Sequence, residues 1–177
     1  MAETKPFAPV KYICGIIHAD PAAMAEAEAR LTGRLGAVDL RSPVFPFDLT
    51  DYYKKEMGPG LKRIFLSFGP LGPPERLAEI KLLTNAWEGE IGRGAGPGGR
   101  AVNIDPGYLT ASALFMATAK DFAHRVALRD GIYAHLELLF TKTGARFLDW
   151  TYPDFKRAEQ TAFFLEVRRI YLKAVRD

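Results

Sequence analysis

Residues 124–140 read HRVALRDGIYAHLELLF. The Asp130-Gly131 step at the centre suits a two-residue hairpin turn, because both central positions of that turn take positive φ. Strands are expected over residues 124–129 and 132–141, paired antiparallel across it. A regular two-residue turn places His124 opposite Glu137, Val126 opposite His135 and Leu128 opposite Tyr133. Opposed side chains share a face, with Cβ atoms about 5 Å apart. His124, His135 and Glu137 therefore share one face. Ala127, Ala134, Leu136, Leu138 and Phe140 share the other, which reads as the core face.

Downstream, a Lys142-Thr143-Gly144 turn leads to a third strand at residues 145–150, completing a meander. Residues 156–175 then place Gln160, Phe163, Val167, Ile170 and Ala174 on one side of a helix. Upstream, residues 11–18 (KYICGIIH) form the near-continuous apolar run of a strand covered on both faces. Asp20 and Pro21 supply an N-cap and a first-turn proline for a helix with Met24, Ala27, Leu31 and Leu35 on one stripe, stopped at Gly36. Residues 38–47 read as an irregular strand near a sheet edge, since Pro43 and Pro46 cannot donate to a ladder. Residues 62–68 alternate Ile64, Leu66 and Phe68 against Arg63, Phe65 and Ser67. Pro73-Pro74 open a helix whose stripe is Leu77, Ile80, Thr84, Trp87 and Ile91. A strand at residues 100–105 is expected to end in an Asp105-Pro106-Gly107 turn, and residues 110–121 to be helical.

This order predicts an α+β fold. The sheet is expected to be mixed but largely antiparallel, with a ferredoxin-like β-α-β-β-α-β first half followed by a β-meander and a C-terminal helix. The 177 residues are one domain's worth of chain. Residues 1–177 are taken as a single domain, with 1–10 as a flexible lead-in and 92–99 (GRGAGPGG) as a mobile glycine-rich loop.

Composition narrows the function classes. With 48% hydrophobic residues the chain can bury a core, and its one cysteine, Cys14, lies in an apolar run and forms no internal disulfide. That usage fits a reducing compartment. Residues 1–10 lack an apolar leader, and no stretch approaches the ~20 apolar residues of a membrane helix. A cytoplasmic protein with no membrane association is expected. The net charge is only +3. Its basic residues are scattered, with a mild excess on the last helix (Lys156, Arg157, Arg168, Arg169, Lys173, Arg176), and no nucleic-acid partner is expected. The glycine run lacks the order of a phosphate-cradling loop, and nucleophile-elbow, Cys-x-x-Cys and His-Glu-x-x-His motifs are absent.

Three polar clusters remain. Two imidazoles and a carboxylate at His124, His135 and Glu137 suit a divalent metal of the zinc or iron class, or an acid–base pair built on His124 and Glu137. An ordinary cross-strand ion pair would look the same. The loop carrying Asp51, Tyr52, Tyr53, Lys54, Lys55 and Glu56 could stack on and grip a planar anion; it could equally cover a sheet edge. Lys120 and Arg125 flank Asp121 and could face a phosphate or carboxylate, or form salt bridges at a helix C-terminus. His18 reads as a packing or capping residue.

Several strings, taken together, resemble one known family. They are PFD at 46–48, TDYY at 50–53, EMGPGLKR at 56–63, NIDPGYLT at 103–110 and WTYPD at 150–154, with KD at 120–121, HR at 124–125 and GIYA at 131–134. This pattern is similar to that of a bacterial family designated domain of unknown function 4416. The resemblance spans nearly the whole chain and implies no established activity. Some members bear a nucleotide- or GTP-binding label, but the phosphate loop and the Asn-Lys-x-Asp motif behind such a label are missing here. An acidic residue often stands at the position of His135 in that family, which points to His124 and Glu137 rather than to a two-histidine metal site.

The leading expectation is a small anionic ligand bound in a cleft. Its walls would be the 51–56 loop (Asp51, Tyr52, Tyr53, Lys54), the 105–108 turn (Asp105, Tyr108), the 120–125 segment (Lys120, Arg125) and the 150–154 segment (Trp150, Tyr152, Asp154). The alternatives are a hydrolase or lyase using His124 and Glu137, with or without a divalent metal cofactor, and a protein-interaction module presenting the aromatic loop.

Overall fold

The computed structural model describes residues 3–48, 50–92 and 98–176. Most of the expected 92–99 loop, and the start of the 1–10 lead-in, lie outside the described residues. In chain order the elements are β1 (Val10–His18), α1 (Pro21–Leu35), β2 (Val38–Arg41), β3 (Phe45–Pro46), α2 (Lys54–Met57), β4 (Lys62–Gly72), α3 (Leu77–Ile91), β5 (Val102–Leu109), β6 (Ala113–Thr118), β7 (Arg125–Arg129), β8 (Ile132–Phe140), β9 (Ala145–Phe147) and α4 (Ala158–Ala174). The fold is α+β. Among the described residues nine strands form one sheet in the order β2-β4-β1-β5-β6-β8-β7, with β3 on β4 and β9 on β8. Every ladder is antiparallel. No helix among the described residues is long and apolar enough to cross a membrane.

The strand periodicity sorts two cores onto the two faces. Cys14 and Ile16 of β1, Ile64, Leu66 and Phe68 of β4, and Ile104 of β5 pack with Leu31 of α1 and Ile80 of α3. On the other face Phe65, Leu114, Leu138 and Phe140 pack with Phe163, Phe164 and Val167 of α4. Burial raises the Cys14 thiol pKa well above its usual value, so it stays an inert thiol.

Two expected elements are different in kind. Residues 110–121 are not a helix, because β6 returns directly from β5. The Thr110 hydroxyl accepts from the backbone N–H groups of Ser112 and Ala113 at 3.2 and 3.1 Å, closing the turn. The unbroken apolar run that suggested a helix is that of an interior strand, with Leu114, Met116 and Ala117 buried. Nor do residues 105–107 turn: β5 runs straight through them to Leu109.

The 130–131 turn is as expected, with φ 53° at Asp130 and 75° at Gly131. Replacing Gly131 by Ala should cost about 1 kcal/mol in urea unfolding, because an L-residue is strained at that φ. The register beyond the turn is not as expected. Arg129 pairs with Ile132, but Ala127 pairs with Tyr133 and Arg125 with His135, so Leu128 is an extra, bulged residue. His124 is not opposite Glu137; it lies just before the strand.

A second bulge falls on β8 itself. Phe115 pairs with Leu136 and Leu114 with Leu138, leaving Glu137 unpaired between them. The extra residue swings Leu138 and Phe140 onto the α4 face, beside His135 and Glu137, while Ile132 packs against Leu77 and Ala78 of α3. The expected face of Ala134, Leu136, Leu138 and Phe140 is therefore split. His135 and Glu137, expected on a half-solvated surface, are 1% and 0% exposed.

Candidate functional site

The sheet forks. β5 pairs with β6 only from Gly107 to Leu109, whereas β5 stays paired to β1 down to Val102 and β6 stays paired to β8 out to Thr118. Pro106, which has no N–H to give a ladder, sits beside the last shared pair. A cleft of about 490 Å³ opens over this fork, lined among others by Tyr52, Tyr53, Arg63, Lys120, Glu137 and Tyr152.

Its floor is a network of buried charges. Arg63 of β4 donates to Asp154 Oδ2 at 2.6 Å. Its guanidinium lies over the rings of Phe65 and Phe155, 4.7 and 5.1 Å from their centroids. Gly15 of β1 makes room for it, since a Cβ there would stand 2.9 Å from Arg63 Nη2. Lys81 of α3 reaches the fork from below, donating to the Ile104 carbonyl at 2.9 Å and to Asp105 Oδ1 at 3.0 Å. Burial pushes the Asp105 carboxyl up, but Lys81 and Arg63 outweigh it and hold the pKa below the usual value. Asn103 donates to the other Asp105 oxygen at 2.6 Å. Arg100 ties this floor to the 50–57 segment through Glu56 at 3.0 Å, besides bonding Glu88 and Asn103.

One wall is aromatic and cationic. Tyr52 and Tyr53 meet edge to face, with centroids 4.9 Å apart. Lys120 Nζ lies 3.6 Å from the Tyr52 centroid and makes no ion pair among the described residues. Burial raises the Tyr53 hydroxyl far above its usual pKa.

The opposite wall is the bulge. Burial pushes Glu137 up to about 8. Burial, with Arg125 and His124 nearby, lowers His135 to about 4. Their closest approach, His135 Nε2 to Glu137 Oε1, is 3.3 Å. With those two shifts the contact is between a neutral acid and a neutral imidazole at pH 7, not an ion pair. Arg125 Nε donates to His135 Nδ1 at 3.3 Å, and Arg125 Nη2 to the Tyr152 hydroxyl at 2.9 Å. The Tyr152 backbone N–H donates to Glu137 Oε2 at 3.3 Å.

All four segments expected to share a cleft contribute lining residues: Tyr52 and Tyr53, Asp105, Lys120, and Tyr152 with Asp154. Arg125 stands behind His135 and Tyr152. The other expected residues fall elsewhere. Asp51 and Lys54 pair with each other on the surface at 2.5 Å. Tyr108 packs against Phe115, 5.3 Å between centroids, and with the Leu77 cluster on the α3 side of the sheet. Trp150 donates its indole N–H to the Leu136 carbonyl and stacks on His124 at 4.8 Å and 6°.

That stacking corrects the expected catalytic and metal set. His124 meets His135 edge to face and is held by Trp150, away from Glu137, so it is not the carboxyl's partner. Among the described residues no group of three His, Cys, Asp or Glu side chains is spaced to hold a metal ion. Sequence reasoning missed Arg63, Lys81, Arg100 and Asn103. The first signal was present: Arg63 alternates onto the face of Phe65, where an unpaired arginine would be costly. Lys81 lies one residue after Ile80 of the apolar stripe, and nothing local distinguishes it from a solvated helix lysine.

Neither the curated proteins nor the solved structures include a significant match to this chain. Residues 8–171 match the model of the domain of unknown function DUF4416, and the chain belongs to that family.

Proposed function

We propose that this domain binds a small organic anion with a planar face in the cleft over the sheet fork. One observation carries the reading: a concave space of about 490 Å³ is lined by Tyr52, Tyr53, Tyr152 and Lys120, and the Lys120 ammonium lies over the Tyr52 ring with no carboxylate partner among the described residues. Ligand pockets are concave, largely apolar and of this size, with a few polar groups that fix orientation. The aromatic rings offer stacking surface and Lys120 an exposed charge on the cleft wall. On the floor Arg63 pairs with Asp154 and Lys81 with Asp105.

A thermal-shift screen of small aromatic carboxylates, sulfonates and phosphate esters, with neutral amides as controls, tests the proposal. Anions should raise the melting temperature and the amides should not. Lys120→Ala should weaken the best anion about tenfold, the worth of one charge-assisted contact, and leave unfolding within about 1 kcal/mol of the parent. Stabilisation by the neutral set alone, or an unchanged affinity in Lys120→Ala, would overturn it.

A further inference from the structure

Three residues that line the cleft each carry a buried side-chain atom without a hydrogen bond: Arg63 Nε, His135 Nε2 and Glu137 Oε1, the last two 3.3 Å apart. These residues are 5%, 1% and 0% exposed. Buried polar atoms are nearly always paired, because an unmade bond leaves the desolvation of the group uncompensated, so three orphans on residues along one cavity point to something that pairs them.

Their donor character is set by what surrounds them. Arg63 Nε carries a hydrogen and can only donate. His135 Nδ1 accepts from Arg125 Nε, which leaves the ring proton of the neutral imidazole on Nε2. Glu137 is wholly buried, and the one basic group in ion-pair range among the described residues is the imidazole of His135, itself held neutral by burial; the position favours the neutral acid and hence an O–H donor. The groups facing it are Arg63 from β4, Arg125 from β7, His135 beside it on β8, and Asp154 and the Tyr152 N–H from the segment before α4. The two arginines and the N–H favour its ionised form, Asp154 opposes it, and burial outweighs them all. Because Glu137 Oε2 already accepts from the Tyr152 N–H, the acid proton falls to Oε1, and the cleft is then offered two N–H groups and one O–H, a donor set that complements an oxyanion.

We infer that Arg63, His135 and Glu137 form a buried oxyanion subsite, which takes the charged head of the ligand, a carboxylate or a singly charged tetrahedral oxyanion, only while Glu137 keeps its proton. The inference rests on the binding reading above and adds a head-group position and a proton to it. Once Glu137 is ionised it turns from donor to repelling anion, so binding above its titration requires the uptake of one proton. The imidazoles facing the site do not titrate there: His135 falls to about 4, and His124 is also lowered, by burial and Arg125.

Benzoate, benzenesulfonate and neutral benzamide are suitable probes, since none changes charge between pH 6 and 9.5. Calorimetry of the intact protein should show benzoate or benzenesulfonate binding with constant affinity from pH 6 to about 7.5, then falling toward tenfold per pH unit above about 8. At pH 8.5, two buffers of different ionisation enthalpy should report uptake of most of one proton per ligand, a measurement that needs no variant. Glu137→Gln, which keeps a donor without an acid, should still bind and lose both the pH slope and the uptake. A preference for benzoate assigns a carboxylate head, a preference for benzenesulfonate a tetrahedral one, and either supports the subsite. Anion binding that is flat to pH 9.5 without proton uptake overturns the subsite and leaves the cleft reading standing. Failure of both anions at every pH overturns both.

Discussion

Asp154→Ala is expected to lower the unfolding free energy by about 3–5 kcal/mol, the usual cost of removing one partner from a buried ion pair. The pair is well enclosed: Arg63 is 6% and Asp154 5% exposed at the side chain, and 2.6 Å separates Nη1 from Oδ2. Without Asp154 the guanidinium keeps only Asp105, 3.9 Å away and already engaged by Lys81 and Asn103. Water cannot replace the lost partner easily, because Phe65 and Phe155 flank the guanidinium. Urea titration of the two proteins measures the difference. A double variant, Arg63→Met with Asp154→Leu, removes both charges and should recover most of the loss, as replacement of buried ion pairs by apolar residues often does. A loss below about 1 kcal/mol for Asp154→Ala would mean that the pair is solvated.

Raising the pH from 6.5 to 8 should reduce stability by about 2 kcal/mol through Glu137 alone. The folded pKa, about 8, lies above the ordinary value of about 4.3. Between those values the folded state holds a proton that the unfolded chain has released, so stability falls as pH rises. His135 acts in the opposite sense. Its folded pKa, about 4, lies below the ordinary value of about 6.5, so its contribution is present above 6.5 and lost as pH falls toward 4. The two slopes oppose each other at lower pH, and the Glu137 decline emerges above 6.5. Urea midpoints at pH 6.5, 7.25 and 8 should fall in the parent protein and stay level in Glu137→Gln. Parallel curves for the two would sink the assignment of a neutral acid at the bulge.

These outcomes turn on residues whose surroundings were unequally legible beforehand. The Asp130-Gly131 turn, the caps of α1 at Asp20 and Pro21, and the alternation of β4 are all local features, and each is found where expected. The four polar-aromatic strings do line one cleft in part, because they fall at strand ends and loops that a single sheet brings together. The pairing of Glu137 was misplaced for an equally definite reason. A two-residue turn sets register only until the first bulge, and Leu128 and Glu137 each add one residue to their strands. Side chains alternate with a period of two, so one added residue moves a group from surface to interior. The 110–121 stretch failed differently: an interior strand and a helix both carry unbroken apolar runs, and only the neighbours on either side separate them.

The sequence by itself determined the element types with strong periodicity, the turn chemistry, the α+β class and the family. Those depend on φ preferences and hydrophobic spacing within about ten residues of chain. Tertiary structure alone decided the bulges, the fork between β5 and β6, and the union of Arg63 with Asp154 and Lys81 with Asp105. Partners 91 and 24 residues apart meet through packing of the whole sheet. Burial then shifts the titration of Glu137 and His135, and no local pattern records how deeply a side chain will be buried.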